Sequence, residues 1–170
     1  MSRVPSLEEL YDQHASALFA FAFNLLRNES DARDVLQEIF IKLAQRPELL
    51  SKVADTRAFL LRLAHNASID LIRRQSTRSR NYDELARESM DLFADGASPD
   101  EQVFRQNLSA AMAELPPDQR AVVHLKLWER LTFDAIAEAL DISLNTAASR
   151  YRYAIDKLRE RLRPIYEEIK

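Results

Sequence analysis

Apolar residues recur at intervals of three and four positions in the first half of the chain, which predicts a series of amphipathic helices. The first helix begins at the capping-box pair Ser6 and Glu9. Its apolar positions are Leu18, Phe19, Ala22, Phe23 and Leu26. Residues 28–30 interrupt this pattern, and we expect Ser30 to cap a second helix that Pro47 ends. The apolar stripe of that second helix consists of Val35, Leu36, Ile39, Phe40 and Leu43.

A third helix, over about Thr56 to Arg74, has two faces of different chemistry. The face that we expect to be buried carries Leu60, Leu63, Ala64, Ala67 and Leu71. A second face repeats Arg62, Asn66, Ile69 and Arg73 on successive turns. The helix is therefore predicted to pack on one side, while its other side offers guanidinium and amide groups to a partner.

The periodicity fades after about Gln75, and the chain divides there into two predicted domains. The stretch that follows is basic at first and then acidic, and it contains the only glycine, Gly96, so we predict a flexible linker. Beyond it, residues 98–101 (SPDE) combine a capping serine, a proline suited to the first helical position and a capping-box glutamate. We predict a helical domain over 1–75, a linker over 76–97 and a second helical domain over 98–170.

The second domain has the pattern of a helix-turn-helix. Residues 115–118 (LPPD) mark a stop and a restart, and a helix through Trp128 follows. The motif is completed by a short helix over about Phe133 to Leu140, a tight turn at 141–143, and a longer helix. That last helix is expected to run from Leu144 to Arg163, where Pro164 ends or bends it. Its core stripe is Ala147, Tyr151, Ala154, Leu158 and Leu162.

Composition narrows the class to a soluble, all-α protein. A single glycine among 170 residues leaves few positions for strand hairpins or phosphate-binding loops. No apolar run approaches the roughly 18 residues that cross a bilayer, and no signal peptide is recognised, so we expect no membrane insertion. With zero cysteines the chain has no disulfide, thiol nucleophile or Cys-based zinc site, in keeping with a cytoplasmic location.

The net charge of −3 is unusual for a nucleic-acid-binding protein, but the charges are segregated along the chain. Six arginines lie between Arg57 and Arg80 with a single acidic residue, Asp70, among them. Acidic residues dominate from Asp83 to Glu101. Local patches matter more for binding than the net charge does.

The outward face of the last helix offers polar groups suited to the major groove of DNA. A recognition helix places its N-terminal residues against base edges, where guanidinium and hydroxyl groups discriminate between bases. The candidates on this face are Asn145, Thr146, Ser149, Arg150 and Tyr153, and Arg152 is a candidate for phosphate contacts. Generic helical hairpins have the same spacing, so the pattern alone leaves DNA binding and plain packing both open.

Three segments, in this order along the chain, resemble the extracytoplasmic-function (ECF) sigma factors of the sigma-70 family. The segment DARDVLQEIF (31–40) resembles the family's helix that docks on the clamp coiled coil of the RNA polymerase beta-prime subunit. The segment AFLLRLAHNASIDLIRR (58–74) resembles its promoter-melting helix, and residues 115–163 resemble its DNA-reading domain. The resemblance implies an alternative sigma factor whose partners are core polymerase (beta-prime clamp helices and beta subunit), promoter DNA and an anti-sigma factor.

The resemblance also implies a role for each matched residue. Polymerase contacts fall to Asp31, Asp34, Gln37 and Glu38. Contacts to the separated −10 element fall to Arg62, His65, Asn66, Arg73 and Arg74. Contacts to the duplex −35 element fall to Asn145, Thr146, Ser149, Arg150, Arg152 and Tyr153. The chain departs from the family at Ala148 and Tyr153, where many relatives have basic residues, so its base preferences are expected to differ. It also has Asp141 in place of a turn glycine, and the turn is expected to form despite this change.

Three other classes of function are alternatives to a sigma factor. A helix-turn-helix regulator that is not a polymerase subunit would use the second domain alone, and the segment 31–40 argues against it. A structural helical adaptor would lack sequence-specific DNA binding in the presence of polymerase. An enzyme is not supported, because the sequence has no Gly-rich phosphate loop, nucleophile–base pair or metal-ligand spacing, and we expect no cofactor and no metal.

Overall fold

The computed structural model describes residues 3–76 and 98–169, with side chains described through Pro164. Over these residues the chain forms seven α-helices and one 3-10 turn, and it contains no strand there, which confirms the predicted all-α class. The helices are α1 (Leu7–Leu26), α2 (Glu29–Gln45), α3 (Thr56–Ser76), α4 (Pro99–Glu114), α5 (Pro117–Leu127), α6 (Phe133–Leu140) and α7 (Leu144–Ile169), and the 3-10 turn is Pro47–Leu50. Apart from Ser76, the predicted linker lies outside the described residues.

The first three helices enclose a core of long apolar side chains. α1 packs against both α2 and α3, and Phe21, Val35 and Leu60 are almost completely buried. The predicted capping box of α1 is present, because the Ser6 hydroxyl accepts from the Glu9 N–H and the Glu9 carboxylate accepts from the Ser6 N–H. These two hydrogen bonds satisfy donors that the first helical turn otherwise leaves unpaired.

α2 begins earlier than predicted, because Asn28 caps it in place of Ser30. The Asn28 side-chain oxygen accepts a hydrogen bond from the Asp31 N–H at 2.9 Å, and the Asn28 backbone is extended, as a cap requires. Ser30 lies inside the first turn, so the prediction that it caps the helix was wrong. Asparagine and serine are similarly good caps, and the interrupting segment offers both.

α3 has more buried residues than its apolar stripe predicts. Within the predicted stripe, Leu60 and Ala64 are fully buried. The other three residues pack at the edge of the core: Leu63, Ala67 and Leu71. Leu61 and Ser68 are buried as well. α3 packs against α6 of the second domain in addition to α1 and α2, which covers more of its circumference than a three-helix domain would.

The second domain contains the predicted helix-turn-helix. α4 opens with the predicted capping box of Ser98 and Glu101, with Pro99 in its first position. Thr132 caps α6, and its hydroxyl accepts from a backbone N–H of the first turn. Asp141 ends α6 in the left-handed conformation (φ 55°, ψ 50°), which aspartate tolerates better than most residues. The turn therefore forms without the glycine that the family usually has.

α7 continues to Ile169, so the prediction that it ends at Arg163 was wrong. Pro164 lies inside the helix, where it removes one hydrogen-bond donor but keeps a helical φ. The predicted core stripe of α7 is confirmed: Ala147, Ala154 and Leu158 are buried, and Tyr151 and Leu162 are half-buried.

The two predicted domains pack against each other. α5 lies against α1, and α6 lies against α3; we call this the closed arrangement. Val122, Leu125 and Ile136 of the second domain join the core of the first in one continuous apolar cluster. A smaller cluster around Met112 and Val123 lies within the second domain. Whether the domains associate was undecided at the level of the sequence, and the structure shows that they do.

Candidate polymerase and nucleic-acid interfaces

The candidate polymerase-binding residues of α2 divide into an exposed set and one structural residue. Asp34, Gln37 and Glu38 are exposed on neighbouring turns. Asp31 is half-buried, and its carboxylate accepts a hydrogen bond from the Gln75 side chain at 2.9 Å, which ties the start of α2 to the end of α3. The exposed face available to a partner therefore consists of Asp34, Gln37 and Glu38. Asp31 borders this face and holds the start of α2 against α3.

An open apolar groove of about 710 Å³ runs between α1 and α2, beside this face. Tyr11 and Ile41 line it and are about half exposed, so the groove leaves apolar side-chain surface open beside the charged face. The Tyr11 ring packs edge-on against Phe40, with ring centroids 5.1 Å apart. Tyr11 and Ile41 were not identified from the sequence as candidate surface residues. They could have been found because each is an apolar residue that lies outside the core stripe of its helix.

Arg62, a candidate for −10 contacts, is engaged by the second domain. Its Nε donates to the Ala139 carbonyl at 3.2 Å, and its Nη2 donates to the Glu138 carbonyl. Both carbonyls belong to the last turn of α6, where helical carbonyls lack partners within the helix and carry partial negative charge. Arg62 is half-buried as a residue, and its guanidinium is already hydrogen-bonded to both carbonyls.

The other −10 candidates differ in exposure. Asn66, Arg73 and Arg74 are exposed, whereas His65 is half-buried, with both ring nitrogens shielded from solvent. Burial lowers the pKa of His65. Arg150 of α7 is close enough to lower that pKa slightly further, so a residue of the recognition helix lies within electrostatic range of α3.

The candidate −35 residues on the recognition helix α7 differ in how exposed they are. Asn145, Arg152 and Tyr153 are exposed, and Thr146, Ser149 and Arg150 are half-buried. The Ser143 hydroxyl accepts from the Thr146 N–H at 3.0 Å and donates to the Thr146 hydroxyl at 2.8 Å, which fixes the first turn of the helix. Leu144 is also exposed at the start of α7, and sequence reasoning did not single it out because its helical position suggests packing.

A buried polar network joins the two domains and was missed at the level of the sequence. Arg120 of α5 is 6% exposed and donates to the carbonyls of Asn24, Leu25 and Leu115 at 2.9–3.0 Å. The Asn24 side-chain nitrogen lies 2.9 Å from Nδ1 of His124. The signal that could have found these residues is a polar side chain inside an otherwise apolar run, as in FAFNLL and RAVVHL.

Burial sets the protonation of this network. It lowers the pKa of His124 to about 4, so the ring is neutral at pH 7 and Nδ1 accepts from the Asn24 amide. The ring lies 5.5 Å from the Trp128 ring and 5.2 Å from the Phe21 ring. Burial also lowers the pKa of Arg120 to about 10, so its guanidinium stays charged and is held by carbonyls near the ends of α1 and α4.

Two arginine–glutamate ion pairs differ in where they lie, one between the domains and one within the second domain. Arg57 of α3 pairs with Glu129, which follows α5, and so bridges the domains. Arg161 of α7 pairs with Glu114 of α4 and lies within the second domain. Across the part of the chain that the structure describes, no three histidine, aspartate or glutamate side chains gather as a metal site requires. No helix described there is long and apolar enough to span a membrane.

Comparison with known proteins agrees with this architecture. The sigma-70 region 2 model matches residues 10–78, and the sigma-70 region 4 model matches residues 111–160. The chain is 32% identical over 157 residues to the ECF RNA polymerase sigma factor SigL of Mycobacterium tuberculosis, an alignment that covers 90% of this chain and 86% of that protein. It is 25% identical over 165 residues to the ECF sigma factor SigX of Bacillus subtilis, covering 94% and 85% of the two chains.

A solved structure supports the fold over nearly the whole chain. The sigma factor RpoE from Bartonella quintana, in a co-crystal with the anti-sigma factor NepR, matches with a TM-score of 0.72 at 23% sequence identity. The match covers 92% of this chain and 96% of that one. Together with the two region models and the SigL relationship, the helical architecture shows that the chain belongs to the ECF family of RNA polymerase sigma factors.

Proposed function

We propose that this sigma factor docks on core polymerase through α2, with Asp34, Gln37 and Glu38 against the beta-prime clamp helices. All three side chains are exposed, and the groove with Tyr11 and Ile41 beside them offers apolar area to the same partner. Charged residues at the rim and apolar residues at the centre are typical of protein interfaces. This exposed face is the observation that supports the proposal most directly.

We propose that α3 then captures the separated −10 element as single strand. Asn66 can hydrogen-bond an exposed base edge, while Arg62, Arg73 and Arg74 can bind the phosphates on either side of it. His65 lies among them and can stack on a base once it is uncovered. In support of this assignment, Asn66 and Arg73 are exposed on the face of α3 that also carries Arg62.

We propose that α7 reads the −35 element as duplex, through Asn145, Thr146, Ser149 and Arg150. Tyr153 lies on the same groove-facing side, and Arg152 is placed for a phosphate contact further along. The second domain also has an apolar groove of about 610 Å³ between α4 and α7, with Phe104 and Leu127 exposed in or beside it. Such a groove suits the polymerase beta subunit better than DNA, because it offers few polar groups.

We propose three further properties of the chain. It makes and breaks no covalent bond itself, because polymerase performs the chemistry of transcription. It acts in the cytoplasm. Its two functional domains are residues 1–75 and 98–170, and a linker joins them. An anti-sigma factor restrains it, which is supported by the structural neighbour, a sigma factor in complex with an anti-sigma factor.

The proposal is tested by transcription from a library of randomised promoters with polymerase reconstituted from core enzyme and the full chain. We expect transcripts whose templates share two sequence elements, one at −10 and one at −35. Core enzyme without the chain provides the background. Recovery of random sequences would refute promoter selection, and an element at −35 alone, without stable binding to core enzyme, would favour a helix-turn-helix regulator.

Replacing Arg62, Asn66 and Arg73 together by alanine should reduce promoter opening at least about tenfold, since each replacement removes a contact worth roughly 1 kcal/mol or more. A fluorescent base analogue in the −10 element reports the opening. Binding of duplex −35 DNA by α7 should persist and serves as the control. Unchanged opening by the triple variant would remove α3 from promoter melting.

Arg150→Ala should weaken −35 binding by roughly 1–3 kcal/mol and relax the preference at one or two base pairs, provided that Arg150 contacts a base edge. A phosphate contact would instead weaken all sequences about equally and lower the salt dependence by about one unit. Binding-site selection at two salt concentrations separates these outcomes. In the same assay Ala148→Arg should shift the preferred sequence, because it adds a donor beside Ser149; unchanged preferences would place Ala148 outside the groove.

A further inference from the structure

Leu144, the first residue of α7, is an exposed leucine on the part of the recognition helix that is proposed to enter DNA. It is 47% exposed and belongs to neither apolar cluster. A single exposed leucine is ordinary on a protein surface, so exposure alone assigns no role to it. Its location is more informative, because the first residues of a recognition helix lie closest to the base edges. The side chain therefore lies where a base-reading contact is expected.

The residues on either side hold Leu144 in this position. The Ser143 hydroxyl accepts from the Thr146 N–H, and the Ser143 carbonyl accepts from the Ala147 N–H at 3.0 Å. Ala147 is fully buried, and Ile142 packs at the edge of the larger cluster. Because the chain is anchored before and after Leu144, a contact between this side chain and DNA requires little ordering of the backbone.

The N-terminal part of α7 carries an apolar row of side chains beside a polar row. Leu144 and Ala148 form the apolar row, since residues four apart lie one above the other in a helix. The polar row beside it consists of Asn145, Ser149 and Tyr153. No acidic residue occurs in α7 before Asp156, so over about three turns no carboxylate opposes an approach to the phosphates.

The two rows suit different base edges. Amide and hydroxyl groups can hydrogen-bond polar atoms in the major groove, whereas the thymine methyl group offers an apolar surface there. An apolar side chain against a G·C pair would cover polar atoms without replacing the hydrogen bonds that they make with water. Against a T·A pair the same side chain gains buried apolar area. Leu144 and Ala148 therefore favour thymine and disfavour G·C pairs.

We propose that Leu144 and Ala148 read thymine methyl groups in the major groove of the −35 element. The inference rests on the proposed assignment of α7 to that element, and it adds the kind of base pair that the start of the helix selects. The two residues are about 6 Å apart along the helix axis and stacked bases are about 3.4 Å apart, so their thymines lie one or two base pairs apart. Asn145 and Ser149 read polar base edges beside them.

Replacing thymine by uracil tests this inference, because uracil lacks only the methyl group and keeps every hydrogen-bonding atom of the base. Holoenzyme reconstituted from core polymerase and the full chain is bound to a promoter fragment with the selected −35 element, in which one thymine at a time is replaced. We expect one or two positions at which uracil lowers the affinity about fourfold, the effect of removing one buried methyl-sized group. Replacements between the two promoter elements provide the background.

Leu144→Ala identifies the residue that contacts the methyl group. The variant should bind the thymine fragment at least about fourfold more weakly than the parent does, and should lose little more when uracil replaces that thymine. Val103→Ala is the matched control, because Val103 is an apolar side chain of α4 that is 51% exposed, and this variant should keep full sensitivity to uracil. Ala148→Arg should move the preference at its base pair from thymine to guanine, because arginine binds the O6 and N7 atoms of guanine.

The outcomes distinguish this inference from the function on which it rests. Selected promoters with no preference at −35 would contradict the assignment of α7 to that element. If a −35 element is selected but uracil is tolerated at every thymine, or weakens the parent and Leu144→Ala equally at every position, the assignment of α7 stands and thymine reading by Leu144 fails. If Leu144→Ala weakens binding to core polymerase and leaves the uracil effect unchanged, Leu144 contacts protein and the inference is equally wrong.

Discussion

Replacing Asp34 and Glu38 by lysine should weaken binding of the chain to core polymerase by about 30-fold or more while leaving the fold intact. Both carboxylates are exposed one turn apart on α2, so lysines there reverse two charges on the proposed docking face without disturbing the core. Loss of a central interface contact commonly costs about 2 kcal/mol or more, which corresponds to that fold-change. Fluorescence anisotropy of the labelled chain, titrated with core polymerase, measures the affinity.

The matched control reverses two charges with the same spacing elsewhere on the molecule. Asp156 and Glu160 are exposed one turn apart on α7, and their replacement by lysine changes the net charge by the same amount. We expect this control to retain its affinity for core polymerase. Circular dichroism compares the folding of both variants. Full affinity of the Asp34→Lys, Glu38→Lys variant in a folded chain would move the docking surface away from α2.

Helix positions were predictable where short-range chemistry determines them. The capping boxes at Ser6 and Ser98 and the turn at Asp141 depend on residues close together in sequence, and each is present in the structure. The prediction failed at Ser30 because Asn28, two residues away, is an equally good cap. It failed at Pro164 because a proline excludes one hydrogen bond without excluding a helical conformation.

Domain packing was not predictable, because its residues are far apart in sequence and have no local pattern. Asn24 and His124 form one buried pair, although a hundred residues separate them. In the sequence, each is an isolated polar residue in an apolar run, and nothing near it indicates its partner. Arg120 is similar, since an arginine in the first turns of a helix ordinarily faces solvent. The exposed −10 candidates were assigned from their position on α3, and nothing in that position indicates that α6 binds Arg62.

The closed arrangement also bears on the acidic net charge of this DNA-binding chain. At a net charge of −3 the protein as a whole repels DNA weakly, and two of its arginines are engaged by the second domain. Affinity for DNA depends on the number of phosphates that are neutralised, so fewer available cations mean weaker unaided binding. The proposed dependence on polymerase for promoter binding would thus have a structural basis in addition to its electrostatic one.

The free energy of unfolding should fall by about 2 kcal/mol between pH 7 and pH 5 through His124 alone. Its pKa is about 4 in the folded chain and 6.5 when it is exposed. Below pH 6.5 the unfolded chain binds a proton that the folded chain excludes, so stability is full above that pH. It declines as the pH falls from 6.5 towards 4 and levels off below 4, at about 1.4 kcal/mol per pH unit in between.

Urea unfolding of the parent chain and of His124→Gln at pH 7, 6 and 5 isolates this contribution. Glutamine does not titrate, and its amide can still meet the Asn24 side chain, so the variant should lose about 2 kcal/mol less than the parent over the same range. His14 and His65 also have pKa values lowered mainly by burial, and they contribute in the same direction to both proteins. Their effect therefore cancels in the comparison. Identical pH dependence in the two proteins would mean that His124 binds protons as readily in the folded chain as in the unfolded chain. The closed arrangement would then not exclude water from the buried polar network around His124.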